Sequence, residues 1–286
     1  MNISREHAEA FLALCRKKTF SSAAEALHIT QAAFSIRIQR LEEELQHTLA
    51  IRNKSGMTLT EAGKKFLQYC EMIEGLEKEF LDDFKEDDKR LNGTIRLGTF
   101  STIGRSVVLP SMAKMLKENS DIQFSYQMKE LSELPDLLMR SEIDFVLLDQ
   151  PFKSESVVSI LLGEEEYVHI TAVGAASNQD VFLNHDEKDM MSYKYFDFIG
   201  APKQQLKRRY LDEIYSVIDG VANGWGVSVL PEHLIRGDKR IKIVNQKKKL
   251  LSPVYLCFRI KPYYSRTFRT VQEILVKEIP KRLKAK

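Results

Sequence analysis

The chain has 286 residues, 43% hydrophobic and 29% charged, with a net charge of +3. That length suggests two domains at roughly 150 residues each, and the composition is that of a folded chain with a large core. No apolar run reaches the roughly 18 residues of a membrane-spanning helix. The opening MNISREHAEAF carries no basic stretch followed by an apolar one, so no export signal is expected. Three scattered cysteines, Cys15, Cys70 and Cys257, show no CxxC spacing. They speak against disulfides and a cysteine zinc site, and a cytoplasmic protein is expected.

Charge is unevenly spread. Residues 1–60 carry 8 Lys/Arg against 6 Asp/Glu, residues 92–202 carry 9 against 17, and residues 203–286 carry 20 against 7. Bulk charge alone would place nucleic acid at the C-terminal end. The local patterns place it at the N-terminus, and the C-terminal excess reads as solvated surface.

Ser4 can cap a first helix whose apolar positions Ala8, Phe11, Leu12 and Cys15 follow helical spacing. Ser21 or Ser22 can cap a short, alanine-rich second helix ending near Leu27. Thr30 can cap a third, in which Phe34, Ile38, Leu41 and Leu45 form the inward stripe. Ala32, Ser35, Ile36, Gln39 and Arg40 then point outward, a small and polar face. Two short helices joined by a tight turn suggest a helix-turn-helix, whose second helix enters the major groove; a generic helical bundle is the alternative. Ser55-Gly56, flanked by β-formers, suggests a hairpin wing on which Arg52 and Lys54 can meet phosphate. From Thr60 a long charged helix follows. Its apolar positions Phe66, Tyr69, Ile73, Leu76, Phe80 and Phe84 form one seam suited to a second copy of the chain; packing within the chain is the alternative.

Here the sequence resembles a known family. Thr19-Phe20-Ser21-Ser22-Ala23-Ala24-Glu25-Ala26-Leu27-His28-Ile29-Thr30-Gln31-Ala32-Ala33-Phe34-Ser35, then Ile38, Leu41-Glu42, Leu45, Leu49, Arg52 and Leu59-Thr60-Glu61-Ala62-Gly63, match the N-terminal domain of LysR-type transcriptional regulators without a gap. Departures are Thr30-Gln31-Ala32 for Ser-Gln-Pro, Gln46 for Gly and Ala50 for Phe; the last two are expected to loosen the wing. The resemblance implies a winged helix-turn-helix over 1–60, a linker helix for dimerisation over 61–91, and an effector domain over 92–286. Gln31, Ala32, Ser35, Ile36 and Gln39 are then expected at base edges, and Arg37, Arg40, Arg52 and Lys54 at phosphates. Ser21, Ser22 and Thr30, at helix starts, complete the expected DNA-binding set. The partners implied are double-stranded DNA with two half-sites, a small-molecule effector, and further copies in a homodimer or homotetramer.

Beyond Asn92-Gly93, strand-like and helical stretches alternate. Strands are predicted at Thr94–Gly98, Ile122–Met128, Phe145–Leu148, Tyr167–Val173, Phe196–Ile199, Lys207–Leu211, Val227–Leu230, Ile241–Val244 and Val254–Ile260. Helices are predicted at Val107–Lys117, Leu131–Arg140, Glu213–Asn223 and Ser265–Leu283. The alternation argues for an α/β domain. It resembles the family's two α/β lobes, like those of periplasmic binding proteins, with one lobe over 92–160 and 265–286 and the other over 161–264. After Phe198-Ile199-Gly200 only Ala201 to Leu206 precede the next strand, where the family inserts a helix. The second lobe is therefore expected to be shortened.

The resemblance places an effector between the lobes, at Thr99, Phe100, Ser101, Thr102, Ser132, Asp149, Gly200 and Ala201, with Trp225 nearby. Hydroxyls and free helix-start amides suit an anion, whereas Asp149 favours an amine or cation. Ser101, Thr102 and Ser132 can equally be helix caps alone. Six scattered histidines, with no HExxH, GxSxG or GxxxxGK[ST], offer no catalytic, metal or cofactor motif, so no enzyme is expected. Glu164-Glu165-Glu166 reads as a solvated strand edge and Lys247-Lys248-Lys249 as an exposed turn. The rival reading is a small-molecule binding protein or enzyme of the binding-protein fold with a helical protein-interaction appendage. It predicts aromatic or Leu residues on the outer face of the third helix.

Overall fold

The computed structural model describes residues 3–53, 56–83, 91–175, 180–201, 206–261 and 263–284, and the chain divides into units at 1–89 and 90–286. The first unit runs α1 (Arg5–Lys17), α2 (Phe20–Ala26), α3 (Gln31–Leu45), β1 (Ala50–Asn53), β2 (Gly56–Leu59) and α4 (Glu61–Asp83). Thr19, rather than Ser21 or Ser22, caps α2, its Oγ1 accepting from the Ser22 amide at 3.2 Å. The helix thus begins two or three residues earlier than expected, and both serines lie exposed in its first turn. Thr30 caps α3 as expected, accepting from the Ala33 amide at 3.2 Å. Ser4 sits in the cap position of α1 but makes no side-chain cap bond.

Phe11, Leu14, Phe34, Ile38 and Leu41 close the three-helix core, and the small Ala23 and Ala24 bring α2 against it. The wing is tied to this core. Glu42 Oε1 accepts from the amides of Leu49 at 2.6 Å and Ala50 at 3.1 Å. Gln46 ends α3 at φ 54, a left-handed position that glycine adopts at no steric cost. β1 and β2 pair antiparallel from Ala50↔Leu59 to Asn53↔Gly56, so Gly56 belongs to strand β2 and not to the centre of the turn expected at Ser55-Gly56. Thr60 Oγ1 accepts from the Gly63 amide at 3.0 Å and donates to the Thr48 carbonyl at 2.7 Å. A Cβ on Gly63 would lie 2.0 Å from the Leu49 carbonyl oxygen, so only glycine lets α4 leave the wing here.

The second unit begins with β3 (Gly93–Thr99), α5 (Ser101–Ile103), a π-helical turn at Gly104–Val108, α6 (Leu109–Glu118), β4 (Ile122–Met128), α7 (Leu134–Met139) and β5 (Phe145–Leu148). It continues with β6 (Val157–Ala172), β7 (Val181–Asn184), α8 (Met191–Phe198), β8 (Lys207–Tyr210) and α9 (Ile214–Ala222). It ends with β9 (Ser228–Pro231), α10 (Glu232–Ile235), β10 (Ile241–Ile243), β11 (Leu250–Arg259) and α11 (Arg266–Leu283). One sheet runs β10-β6-β11-β5-β3-β4, with β9 also on β6, while β7 and β8 form a separate parallel pair. One core gathers around β3, β5, α6 and α11 and takes in Leu162 and Val254–Phe258 from the long strands β6 and β11. A second gathers around Val168, Ile170, Leu183 and α9.

One predicted strand is overturned. Phe196–Ile199 belongs to the end of α8, whose Ser192 and Tyr195 are buried three residues apart as a helix requires. The aromatic β-formers there misled, because strand propensity reports packing more than backbone preference. α8 is therefore the helix whose absence was expected to thin the lobe. β7 and β8 are parallel, and a parallel pair needs such a crossover. What remains short is the four-residue length of both strands. Two further expectations fail locally: α7 starts at Leu134, so Ser132 is exposed in the preceding turn and caps nothing, and β6 begins at Val157, ten residues before the strand predicted from Tyr167.

Candidate nucleic-acid interface and effector cleft

The outward face of α3 is present as expected. Gln31, Ala32, Ile36, Gln39 and Arg40 are exposed and Ser35 half-buried. Ile36 leaves 51% of its surface exposed, an apolar side chain on a polar face. Several side chains are held by neighbours. Gln39 Nε2 donates to Glu43 Oε1 at 2.9 Å, and Arg37 pairs with Glu6 of α1 at 3.0 Å. Arg52, on β1, donates to Ser35 Oγ at 3.0 Å, and its guanidinium carbon lies 3.7 Å from the Phe20 ring centre. Lys54 lies outside the described residues.

The apolar stripe of α4 divides in two. Phe66 is buried, edge-on to Phe11 at 5.1 Å, and with Cys70 it belongs to the unit's own core. The seam expectation for Phe66 is thus corrected: α1 covers it. Burial pushes the thiols of Cys15 and Cys70 up to about 12, which keeps both unreactive. Tyr69, Met72 and Ile73 are exposed at 41%, 40% and 38%, and Leu76 is half-buried. Their spacing makes one stripe beside the buried Phe66 face, with Tyr69 stacked on Phe66 at 5.8 Å, and Met72 was missed in the sequence. The side chain of Phe80 and the whole of Phe84 lie outside the described residues.

In the second unit β3, β4 and β5 are parallel, so Thr99–Thr102, the Ser132 turn and Asp149 share one end of the sheet. Thr99 is buried and bonds the Phe100 carbonyl at 3.0 Å. The buried Thr102 hydroxyl makes no well-formed hydrogen bond, although it lies within reach of the Tyr167 phenol. Asp149 is half-buried. Gly200 and Ala201, expected at a strand end, follow α8 instead, with Gly200 exposed at φ 71. Trp225 is 53% exposed and its carbonyl accepts from Arg209 at 2.9 Å. Among the described residues no hydrogen bond or ion pair joins these three to Thr99–Thr102.

The structure instead brings together residues that were read as surface. Ser106, in the π-helical turn, donates to the Thr102 carbonyl at 3.1 Å. The same hydroxyl lies 3.0 Å from His233 Nδ1 of α10. His233 Nε2 meets Glu165 Oε1 of β6 at 2.9 Å, and the Tyr167 hydroxyl donates to Glu165 Oε2 at 3.2 Å. The His233 and Glu165 side chains are 2% and 1% exposed. Burial, with the neighbouring carboxylate, drives the Tyr167 phenol well above its usual range. The Glu164–Glu166 run is thus no solvated edge. Strand alternation turns Glu165 inward with Tyr167, His169 and Thr171, and Glu166 pairs with Lys249 at 2.6 Å. Lys249 also meets Glu232 at 2.5 Å, so the end of the lysine run is half-buried. Strand alternation accounts for the inward turn of Glu165, but its partner His233, 68 residues away, has no local signal in the sequence.

Residues 6–64 match the profile of the bacterial regulatory helix-turn-helix protein, lysR family, and residues 88–280 match that of the LysR substrate binding domain. The chain belongs to the LysR family. It is 28% identical over 239 residues to the HTH-type transcriptional regulator YofA of Bacillus velezensis, covering 79% of this chain and 80% of that one. It is 24% identical over 260 residues to HdfR of Yersinia pestis, at 86% and 87% coverage. In fold it resembles ArgP from Mycobacterium tuberculosis (TM-score 0.71, 17% identity, 97% and 98% coverage). It also resembles full-length LysG from Corynebacterium glutamicum with bound effector Arg (0.67, 16%, 98% and 99%). The LysR chain is thus a DNA-binding transcriptional regulator with an effector-binding domain, and it is not an enzyme. No described helix is long and apolar enough to cross a membrane.

Proposed function

We propose that the exposed face of α3 (Gln31, Ala32, Ser35, Ile36, Gln39) reads base edges in the major groove, with Arg40, Arg52 and Lys54 on phosphates. The observation that carries this is the composition of that face: hydrogen-bonding side chains around one exposed isoleucine suit base edges and a thymine methyl. Arg37, paired with Glu6, joins the phosphate contacts only by exchanging that partner. Two copies associate through Tyr69, Met72, Ile73 and Leu76 and so present two recognition helices to two half-sites. Such a protein works in the cytoplasm, beside the chromosome. The test is binding of full-length protein to genomic fragments and then to the selected fragment and a shuffled copy. Gln39→Ala should lower the preference for the selected fragment more than it lowers affinity for the shuffled one. Equal losses on both would reject the assignment.

An effector sits between lobes at 92–160 with 265–286 and at 161–264, against Thr99–Thr102 and Asp149. The half-buried Asp149 carboxylate supports a ligand with an amine or other cationic group. A dose-dependent rise in melting temperature with basic metabolites, lost in Asp149→Leu, is the expected result. A rise that survives the substitution places the ligand elsewhere.

A further inference from the structure

We propose that Phe20 is a positioning residue of the DNA interface: its ring holds the Arg52 guanidinium on Ser35, so that wing and recognition helix present one pre-set surface. The inference rests on α3 and the wing meeting DNA. Phe20, at the start of α2, packs edge-on against Phe34 of α3 at 5.7 Å and 89°. It also meets Arg52 of β1, whose guanidinium carbon stands 3.7 Å from the ring centre, within stacking range of a planar cation. One N–H of that guanidinium goes to Ser35 Oγ at 3.0 Å. Three elements, α2, α3 and β1, therefore converge on one exposed side chain.

A guanidinium carries five N–H donors in one plane. Stacking takes up its face and Ser35 takes one donor, which leaves the rest of the edge for a phosphate. Because the ring already fixes the side chain, little of its rotamer freedom remains to be lost when DNA binds. A lysine at the same place keeps the charge but has no plane to stack, so charge and positioning can be separated by substitution.

The experiment uses the full-length chain, an operator fragment it selects from its own genome, and a shuffled fragment of equal length, over a range of salt. Arg52→Gln should shrink the salt slope of log affinity by about 1. Arg52→Lys should keep the parent slope. Phe20→Leu should also keep the slope, and each of these two should weaken operator binding by about two- to fivefold. Phe20→Tyr, which keeps the ring face, should bind like the parent. The double variant Phe20→Leu with Arg52→Lys should be no weaker than the weaker single one, because the two changes break one interaction. A merely structural Phe20 would give additive losses, and additivity overturns the proposal. If Phe20→Leu fails to fold, the pair Ser35→Ala and Arg52→Lys carries the same test, with additivity again fatal. If Arg52→Gln and Gln39→Ala both match the parent on both fragments, the underlying interface itself is wrong, a result distinct from additivity.

Discussion

Glu165→Leu removes one partner from a network in which the Glu165 and His233 side chains are 1% and 2% exposed. The leucine leaves His233 Nε2 facing an apolar group and takes the acceptor from the Tyr167 hydroxyl. Breaking a buried pair on one side costs about 3–5 kcal/mol. For a unit of this size each kcal/mol moves the midpoint by roughly 2–4 °C, so the second unit should melt roughly 6–20 °C lower. Scanning calorimetry of the full-length protein measures this, with the exposed Glu164→Gln as a control expected within about 0.5 kcal/mol of the parent. Replacing both partners, as Glu165→Leu with His233→Leu, should recover part of the loss, since an apolar pair leaves neither of the two polar groups orphaned. If Glu165→Leu melts no lower than Glu164→Gln, the network contributes nothing and the argument from burial fails.

Other outcomes follow from the same geometry. Ile73→Lys puts a charge in the proposed seam of α4 and should weaken association and operator binding together, as read by analytical ultracentrifugation and a filter assay. A wild-type monomer at micromolar concentration would contradict the seam. Gly63→Ala forces a Cβ within 2.0 Å of the Leu49 carbonyl and should destabilise the first unit by about 1–3 kcal/mol, measured by urea unfolding. Burial among Phe182, Tyr195 and Phe196 lowers His169 to about 4. Unfolded His titrates near 6.5, so over that window the unfolded chain binds the extra proton. Stability should therefore fall as pH drops from about 6.5 toward 4. His169→Phe should flatten that part of the profile, and an unchanged profile would place the loss in another group.

The first unit was the more legible in sequence, because each of its devices is local. Thr30 caps within three residues, and the stripe of Phe34, Ile38 and Leu41 follows one helical period. What sequence did not show there depends on contacts across the chain, such as Gly63 against Leu49 and Arg52 on Phe20. Phe66 was assigned to the seam because its spacing alone cannot tell a second copy from α1. In the second unit the alternation of strands and helices was readable. The long β6 was not, since three adjacent glutamates sit mid-strand, and nothing in their local pattern shows that His233 lies opposite Glu165. α8 was missed because an aromatic run suits both a strand and a buried helix face.

The most direct test of the central claim is the ratio of affinities of full-length protein for its selected genomic fragment and for shuffled DNA, measured at one physiological salt concentration. A regulator reading bases through α3 should show a ratio of at least about 10³, falling roughly 5- to 150-fold in Gln39→Ala or Ile36→Ala as one base contact is lost. A ratio near one in the parent protein, or one that neither substitution moves, would contradict the account.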